Sequence, residues 1–174
     1  MTLIVEDGTG LTTAESYVSV ADATAYLTAY KAAADLATWN AASTAEQERA
    51  LRVATQYVDA AYGTRFPGSR LLDAMSLRWP RVNASDVEGY AIASTSVPTA
   101  VKNSTSEMAL RVVLGDDLLA KLEDPGTVES TTVSVGPVSE SITYQGGKPT
   151  RASYPLVDRI LTAVIGSNAV LYPG

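Results

Sequence analysis

Residues 98–114 read PTAVKNSTSEMALRVVL, and their spacing decides the fold. Pro98 suits the first turn of a helix, where a missing N–H leaves no bond unmade. Val101, Thr105, Met108, Val112 and Leu119 follow at steps of three, four or seven residues, the repeat of one helical face. This predicts a helix over 98–114. Gly115 ends it or sits inside it, because Leu118, Leu119 and Leu122 ask for a further turn before Asp124, Pro125 and Gly126 stop the pattern.

Upstream, the same period recurs twice. Ser19 with Asp22 three residues on resembles a capping box, Asp standing where Glu or Gln is usual. Val20, Ala23, Leu27 and Tyr30 then predict a first helix over about 20–34. Tyr26 and Tyr30, one turn apart, read as part of an ordinary core face. Asn40–Ser43 is a loop. Thr44 is the expected N-cap of a second helix over 45–62, with Glu46 and Glu48 at its positive end. Its face is Leu51, Ala54, Val58 and Ala61, bordered by Tyr57, and Gly63 is its stop. Downstream, Tyr154–Ile165 (YPLVDRILTAVI) is a short final helix with Pro155 in its first turn and a stripe of Leu156, Ile160, Leu161 and Val164. Residues 2–5 and the turn Asp7–Gly10 read as a short extended arm.

Residues 63–97 have no sustained period. They hold Phe66, Leu71, Leu72, Met75, Leu77, Trp79, Val82 and Ile92, too many apolar side chains for a free linker. Residues 131–144, TTVSVGPVSESITY, are a β-hairpin around Gly136–Pro137. A two-residue loop sets Val135 opposite Val138, Val133 opposite Glu140, Thr131 opposite Ile142 and Glu129 opposite Tyr144. The other side is all hydroxyl: Ser134 with Ser139, Thr132 with Ser141, Ser130 with Thr143. Pro137 excludes a type I′ turn and leaves type II′ or a longer loop. A lone hairpin is marginal in water. Its apolar side folds onto its own helices, or its edges meet another chain.

The expected fold is therefore mainly α: a small bundle of about four helices with a protruding β-hairpin and a long irregular middle loop. One domain spans 1–166, with the hairpin at 127–145 and a tail at 167–174.

Composition narrows the function. The chain has 174 residues, 46% of them hydrophobic and 18% charged, against about 25% charged in typical soluble domains. Such a sparsely charged surface suits protein neighbours. Thirteen basic residues against 19 acidic ones give a net charge of -6, the reverse of the usual nucleic-acid binder. The absence of Cys and His removes disulfides, thiolate nucleophiles, most zinc sites and the usual general base. Asp116 with Asp117, or Glu46 with Glu48, are read as acids on solvated faces and at helix starts rather than as catalytic pairs. No apolar run approaches the ~20 residues that span a bilayer, and MTLIVEDG is not a signal peptide. A soluble protein made in a cytoplasm, without enzyme activity or cofactor, is expected.

Five landmarks occur in order: AESYVSVADATAY (14–26), SLRWPR (76–81), VPTAVKNSTSEMAL (97–110), VSVGPVSESITY (133–144) and YPLVDRIL (154–161). Together they resemble the small head–tail connector proteins of tailed double-stranded DNA phages, also called adaptor or head-completion proteins. The same sequences are often labelled DnaT-like single-stranded-DNA-binding proteins. The likeness covers about residues 3–165 and lies in the order and spacing of the landmarks. It implies a homo-oligomer, a dodecameric ring beneath the portal protein of the capsid, located in the neck of the virion and made in the host bacterial cytoplasm. The ring extends the channel through which DNA passes and meets the next neck or tail-completion protein. It implies no catalysis, no cofactor and no membrane.

Candidate interface residues fall in three groups. Arg65, Arg70, Arg78 and Arg81 interleave with Phe66 and Trp79, and Asp73 is the only acid between 65 and 81. Such interleaving can stack and pair with single strands. The structural alternative, which we favour, has Trp79 anchoring the loop and the arginines pairing with carboxylates of an adjacent subunit. The hairpin contributes Val133, Val135, Ile142 and Tyr144. The tail contributes Val170, Leu171 and Tyr172 as a docking peptide for a neighbouring subunit or the portal, with a frayed terminus as the alternative.

Overall fold

The computed structural model describes residues 2–118, 131–135, 138–142 and 154–165, the two strand segments by their backbone alone. The chain is mainly helical, and its axis is the helix that opens at Pro98. Here α4 denotes Thr99–Val113, with Pro98 just outside it as the extended N-cap residue. Around α4 pack α1 (Val20–Tyr30), α2 (Ala33–Ala41), α3 (Thr44–Tyr62) and α5 (Pro155–Ile165). Val101, Thr105 and Met108 are buried as their spacing predicts. The enclosure goes further, because every residue from Ser104 to Leu110 is buried.

Polar side chains in that run need partners inside the protein. The hydroxyls of Thr105 and Ser106 donate one turn back, to the carbonyls of Val101 (2.9 Å) and Lys102 (3.0 Å). The Glu107 carboxylate accepts the Tyr26 O–H at 2.8 Å and meets the Lys31 ammonium at 2.5 Å.

Those contacts fix α1. Ser19 Oγ accepts the Asp22 N–H at 3.1 Å and donates to the Asp22 carboxylate at 2.7 Å, half of the expected capping box. Ala23 and Leu27 are buried. The helix ends at Tyr30, four residues before the position its periodicity predicts. Lys31 is extended there and its N–H returns to the Leu27 carbonyl. The remaining residues begin a separate helix, α2, which the spacing did not reveal. Its anchor is Trp39, fully buried, whose indole N–H donates to Thr24 Oγ1 at 2.9 Å. The Trp39 carbonyl accepts the Gln47 side-chain N–H at 2.9 Å, tying α2 to α3.

In α3 the N-cap is Ser43 rather than Thr44. Ser43 Oγ accepts the Glu46 N–H (3.3 Å) and the Glu46 carboxylate accepts the Ser43 N–H (2.8 Å), a full capping box. Leu51, Ala54, Tyr57 and Val58 are buried as expected. In α5 the inward residues are Val157, Leu161 and Val164. Leu156, expected on that stripe, is 50% exposed, because the helix is rotated so that Val157 takes the inner position.

The middle segment packs into this unit. Phe66, Met75, Leu77 and Trp79 are buried. A two-residue antiparallel ribbon closes the segment, β1 (Ser69–Arg70) with β2 (Arg81–Val82). The chain enters it at Gly68, whose φ of +68° and whose Cβ position 2.2 Å from the Val82 carbonyl oxygen leave room only for glycine. The N-terminal arm is tucked in as well. The buried Glu6 carboxylate accepts the N–H groups of Gly8, Gly10 and Leu11, each at 2.9 Å.

Residues 120–153 form a second unit, which holds the hairpin β3 (Thr131–Val135) and β4 (Val138–Ile142). Its register is the expected one from Val135 opposite Val138 to Thr131 opposite Ile142. The expected pairs at Glu129 and Ser130, and the helical turn expected around Leu119 and Leu122, lie outside the described residues. Among the described residues, no helix is long and apolar enough to cross a membrane.

Two substitutions test the packing. Ser43→Ala removes the side-chain half of the capping box and is expected to lower unfolding stability by about 1 kcal/mol in urea titrations. Trp39→Ala empties the site that holds α2 and is expected to cost roughly 3–5 kcal/mol. A Trp39→Ala protein as stable as the wild type would show that α2 is not held by this residue.

Candidate functional site

The expected basic segment is organised by a residue outside it. Tyr17 is fully buried at the mouth of α1, and its O–H donates to the Asp59 carboxylate near the end of α3. The same phenol oxygen accepts the N–H of Arg78 (2.9 Å) and of Trp79 (3.3 Å), and Asp59 Oδ2 also accepts the Arg78 N–H (3.1 Å). Together these clamp the 78–79 backbone onto the last turns of α3. Gly63 is what lets Arg78 lie there. A Cβ at that position would stand 2.3 Å from the Asp59 carbonyl oxygen and 3.0 Å from the Arg78 side chain.

From the clamp, Trp79 and Arg81 turn inward. Trp79 is fully buried, edge-on to Phe66 with ring centres 5.6 Å apart. Arg81 is 8% exposed. Its Nε donates to the Pro67 carbonyl (2.6 Å), Nη1 to Arg78 (3.2 Å), and Nη2 to Phe66 (3.2 Å) and Gly68 (2.6 Å). The guanidinium thus collects carbonyls that an irregular segment leaves unpaired. The Trp79–Pro80 peptide is cis. Trp79 and Arg81, expected at an interface, therefore lie in the chain's own interior, and so does Phe66.

Arg65 and Arg70 are only half-buried, unlike Arg81. The guanidinium of Arg65 lies 5.1 Å above the Tyr62 ring, and the Tyr62 O–H donates to Asp158 of α5 at 2.7 Å. Arg70 is half-buried and donates to the carbonyls of Leu72 (3.4 Å) and Asp73. Arg78 is exposed. Arg78 and Arg70 both act electrostatically on Asp59. Beside them a groove of about 330 Å³ is lined by Glu15, Arg52, Thr55, Asp59, Ser76 and Arg78 among others. Arg52 is clamped within it by Glu15 (2.9 Å) and Glu48 (3.7 Å). The surface suits charged partners of either sign and sets Arg78 and Arg70 near the Asp59 carboxylate.

The other expected residues divide by location. Val133, Val135 and Ile142 lie on the paired strands β3 and β4. Tyr144, Val170, Leu171 and Tyr172 lie outside the described residues. The sequence reading missed Tyr17 and Asp59, since a lone Tyr and Asp on helical segments carry no motif. It also missed the surface loop at Asp86–Tyr90. The spacing of Asp86 and Gly89 does announce that loop, being the pattern of a type I turn.

Burial pushes the Asp59 carboxyl up from 3.8 to about 6, outweighing the Tyr17 and Arg78 hydrogen bonds and the arginine charges that favour its ionised form. The Tyr17 phenol is pushed up by the same burial and by the Asp59 charge. A carboxyl whose folded pKa is raised contributes stability in full below its unfolded pKa, and that contribution is lost as pH rises through the folded value. Wild type is thus expected to lose on the order of 1–3 kcal/mol relative to Asp59→Asn between about pH 4 and about pH 7. Urea unfolding of both proteins across that range measures it. A constant difference would mean that Asp59 titrates like an exposed carboxylate.

No curated protein and no solved structure matches the chain. A family model described as "Putative DnaT-like ssDNA binding protein" matches residues 1–172 of the 174. The chain belongs to this DnaT-like family.

Proposed function

We propose that this protein is a structural component of a tailed double-stranded DNA phage, a connector that joins the portal to the neck or tail. In this reading the chain assembles as a dodecameric ring in the neck of the virion. The ring extends the DNA channel, binds the portal protein on one side and receives the next neck or tail-completion protein on the other. The five landmarks shared in order with head–tail connectors support this reading. The observation that carries it is the burial of Phe66 and Trp79. Strand binding through a basic–aromatic segment needs ring faces open to the bases. Here those rings are packed together, and Arg81 is enclosed with them. A net charge of -6 also suits a conduit that must let phosphates slide.

The family description favours a second reading, single-strand binding of a replication type. Its surface would be Arg65, Arg70 and Arg78. Three phosphate contacts give weak affinity and a shallow salt dependence, a slope of about -2 on single strands.

Labelled oligonucleotide, titrated at low and at moderate salt, separates the two. The connector reading expects weak binding without saturation at micromolar protein. Saturable binding at micromolar protein, falling with salt at a slope of about -2, would move the function to the second reading. Mixing with the portal protein of the same genome is expected to give a complex by light scattering, and no complex at micromolar concentrations of both would sink the connector.

A further inference from the structure

Residues 84–92 form a knuckle held by its own backbone. The Asp86 carboxylate accepts the N–H groups of Glu88 (3.0 Å) and Tyr90 (2.9 Å). The Asp86 N–H donates to the Tyr90 carbonyl (2.9 Å), and its carbonyl accepts the Gly89 N–H (3.1 Å). Gly89 supplies a φ of +90° at the bend. An antiparallel bridge between Ser85 and Ala91 and a bond from the Ile92 N–H to the Ala84 carbonyl (2.9 Å) close the base. A bond from the Val87 N–H to the Ala163 carbonyl (3.2 Å) fastens the knuckle to α5.

This ordered backbone holds apolar side chains out in water. Tyr90 is 69% exposed and Val87 53%, with the exposed Glu88 between them. The conformational cost of presenting them is already met within the fold, which is what makes a loop a good binding element. Tyrosine adds large contact area with few rotatable bonds.

We propose that the 85–91 knuckle of one copy docks on the Arg70–Arg78 surface of a second copy. Charge selects this occupant. The chain has only 13 basic residues against 19 acidic ones, yet the exposed Arg78 lies beside Gly63, and it and the half-buried Arg70 both act on Asp59. The knuckle brings Asp86 and Glu88 to them, and Tyr90 offers a ring face on which a guanidinium stacks. A contact between two different patches is heterologous, and copies linked in that way close into a ring where the rotation permits. The inference deepens the connector reading by naming the contact between subunits, and its test does not need the portal.

The wild-type chain has no Cys, so single cysteines report unambiguously. Glu88→Cys and Arg78→Cys proteins, mixed in equal amounts with a short bifunctional thiol reagent, are expected to give a crosslinked pair carrying one of each. Glu88→Arg and Arg78→Glu are each expected to weaken self-association about tenfold by sedimentation, and a mixture of the two to regain it. Tyr90→Ala is expected to weaken association while leaving the unfolding midpoint unchanged. Absence of self-association at millimolar wild-type protein, crosslinking by Glu88→Cys alone, or loss of the mixed crosslink to excess oligonucleotide would each overturn the contact. A missing crosslink with an intact portal complex rejects the contact and keeps the connector. A crosslink without portal binding does the reverse.

Discussion

Enclosure of α4 is the constraint from which the rest of the helical unit follows. A helix buried along Ser104–Leu110 has no wet face on which to leave its polar side chains. Two hydroxyls solve this locally by bonding the preceding turn. Glu107 cannot, because a carboxylate accepts only and carries a charge that must be compensated. Its partners come from α1: the Tyr26 phenol and the Lys31 ammonium. Meeting Glu107 requires Lys31 at one place, and the chain leaves helical geometry there. The boundary of α1 is thus set by an ion pair with a residue 76 positions away.

That origin explains what the sequence disclosed and what it hid. Ala32, Ala33 and Ala34 continue a helical pattern without Gly or Pro, so nothing local marks a break after Tyr30. Ser43 and Glu46, by contrast, form a cap within four residues, and local reading places the start of α3 to within one position. The hairpin register was legible for the same reason. Alternation on both strands and a two-residue turn determine the pairing without reference to anything distant. What each side of the hairpin meets is a tertiary question, and periodicity is silent on it.

The middle segment carries a further lesson. Alternating arginine and aromatic residues read as a nucleic-acid surface, yet the pattern has a second physical origin. An irregular segment leaves carbonyls without ladder partners, and burying them requires donors. One arginine supplies several donors in a fixed fork, and aromatic rings give it an apolar bed. Arg81 over Trp79, bonded to the carbonyls of Phe66, Pro67, Gly68 and Arg78, is that arrangement. Nothing in the spacing of the four arginines distinguishes Arg81 from Arg78. The difference lies in the Tyr17–Asp59 clamp, which holds the backbone of residue 78 at the surface of α3 and sends residues 79 and 81 inside.

The clamp therefore couples stability to surface chemistry. It fixes which arginines face outward, and it does so through a carboxylate held partly in the protein interior. The ionised Asp59 is the form that the neighbouring guanidiniums of Arg78 and Arg70 favour, while burial favours the neutral one. Any partner that brings further carboxylates to Arg78 and Arg70 competes with Asp59 for them. A partner surface built on Asp86 and Glu88 would do so most effectively where Asp59 is protonated and no longer attracts the two guanidiniums. Acid that protonates Asp59 would then tighten such a contact.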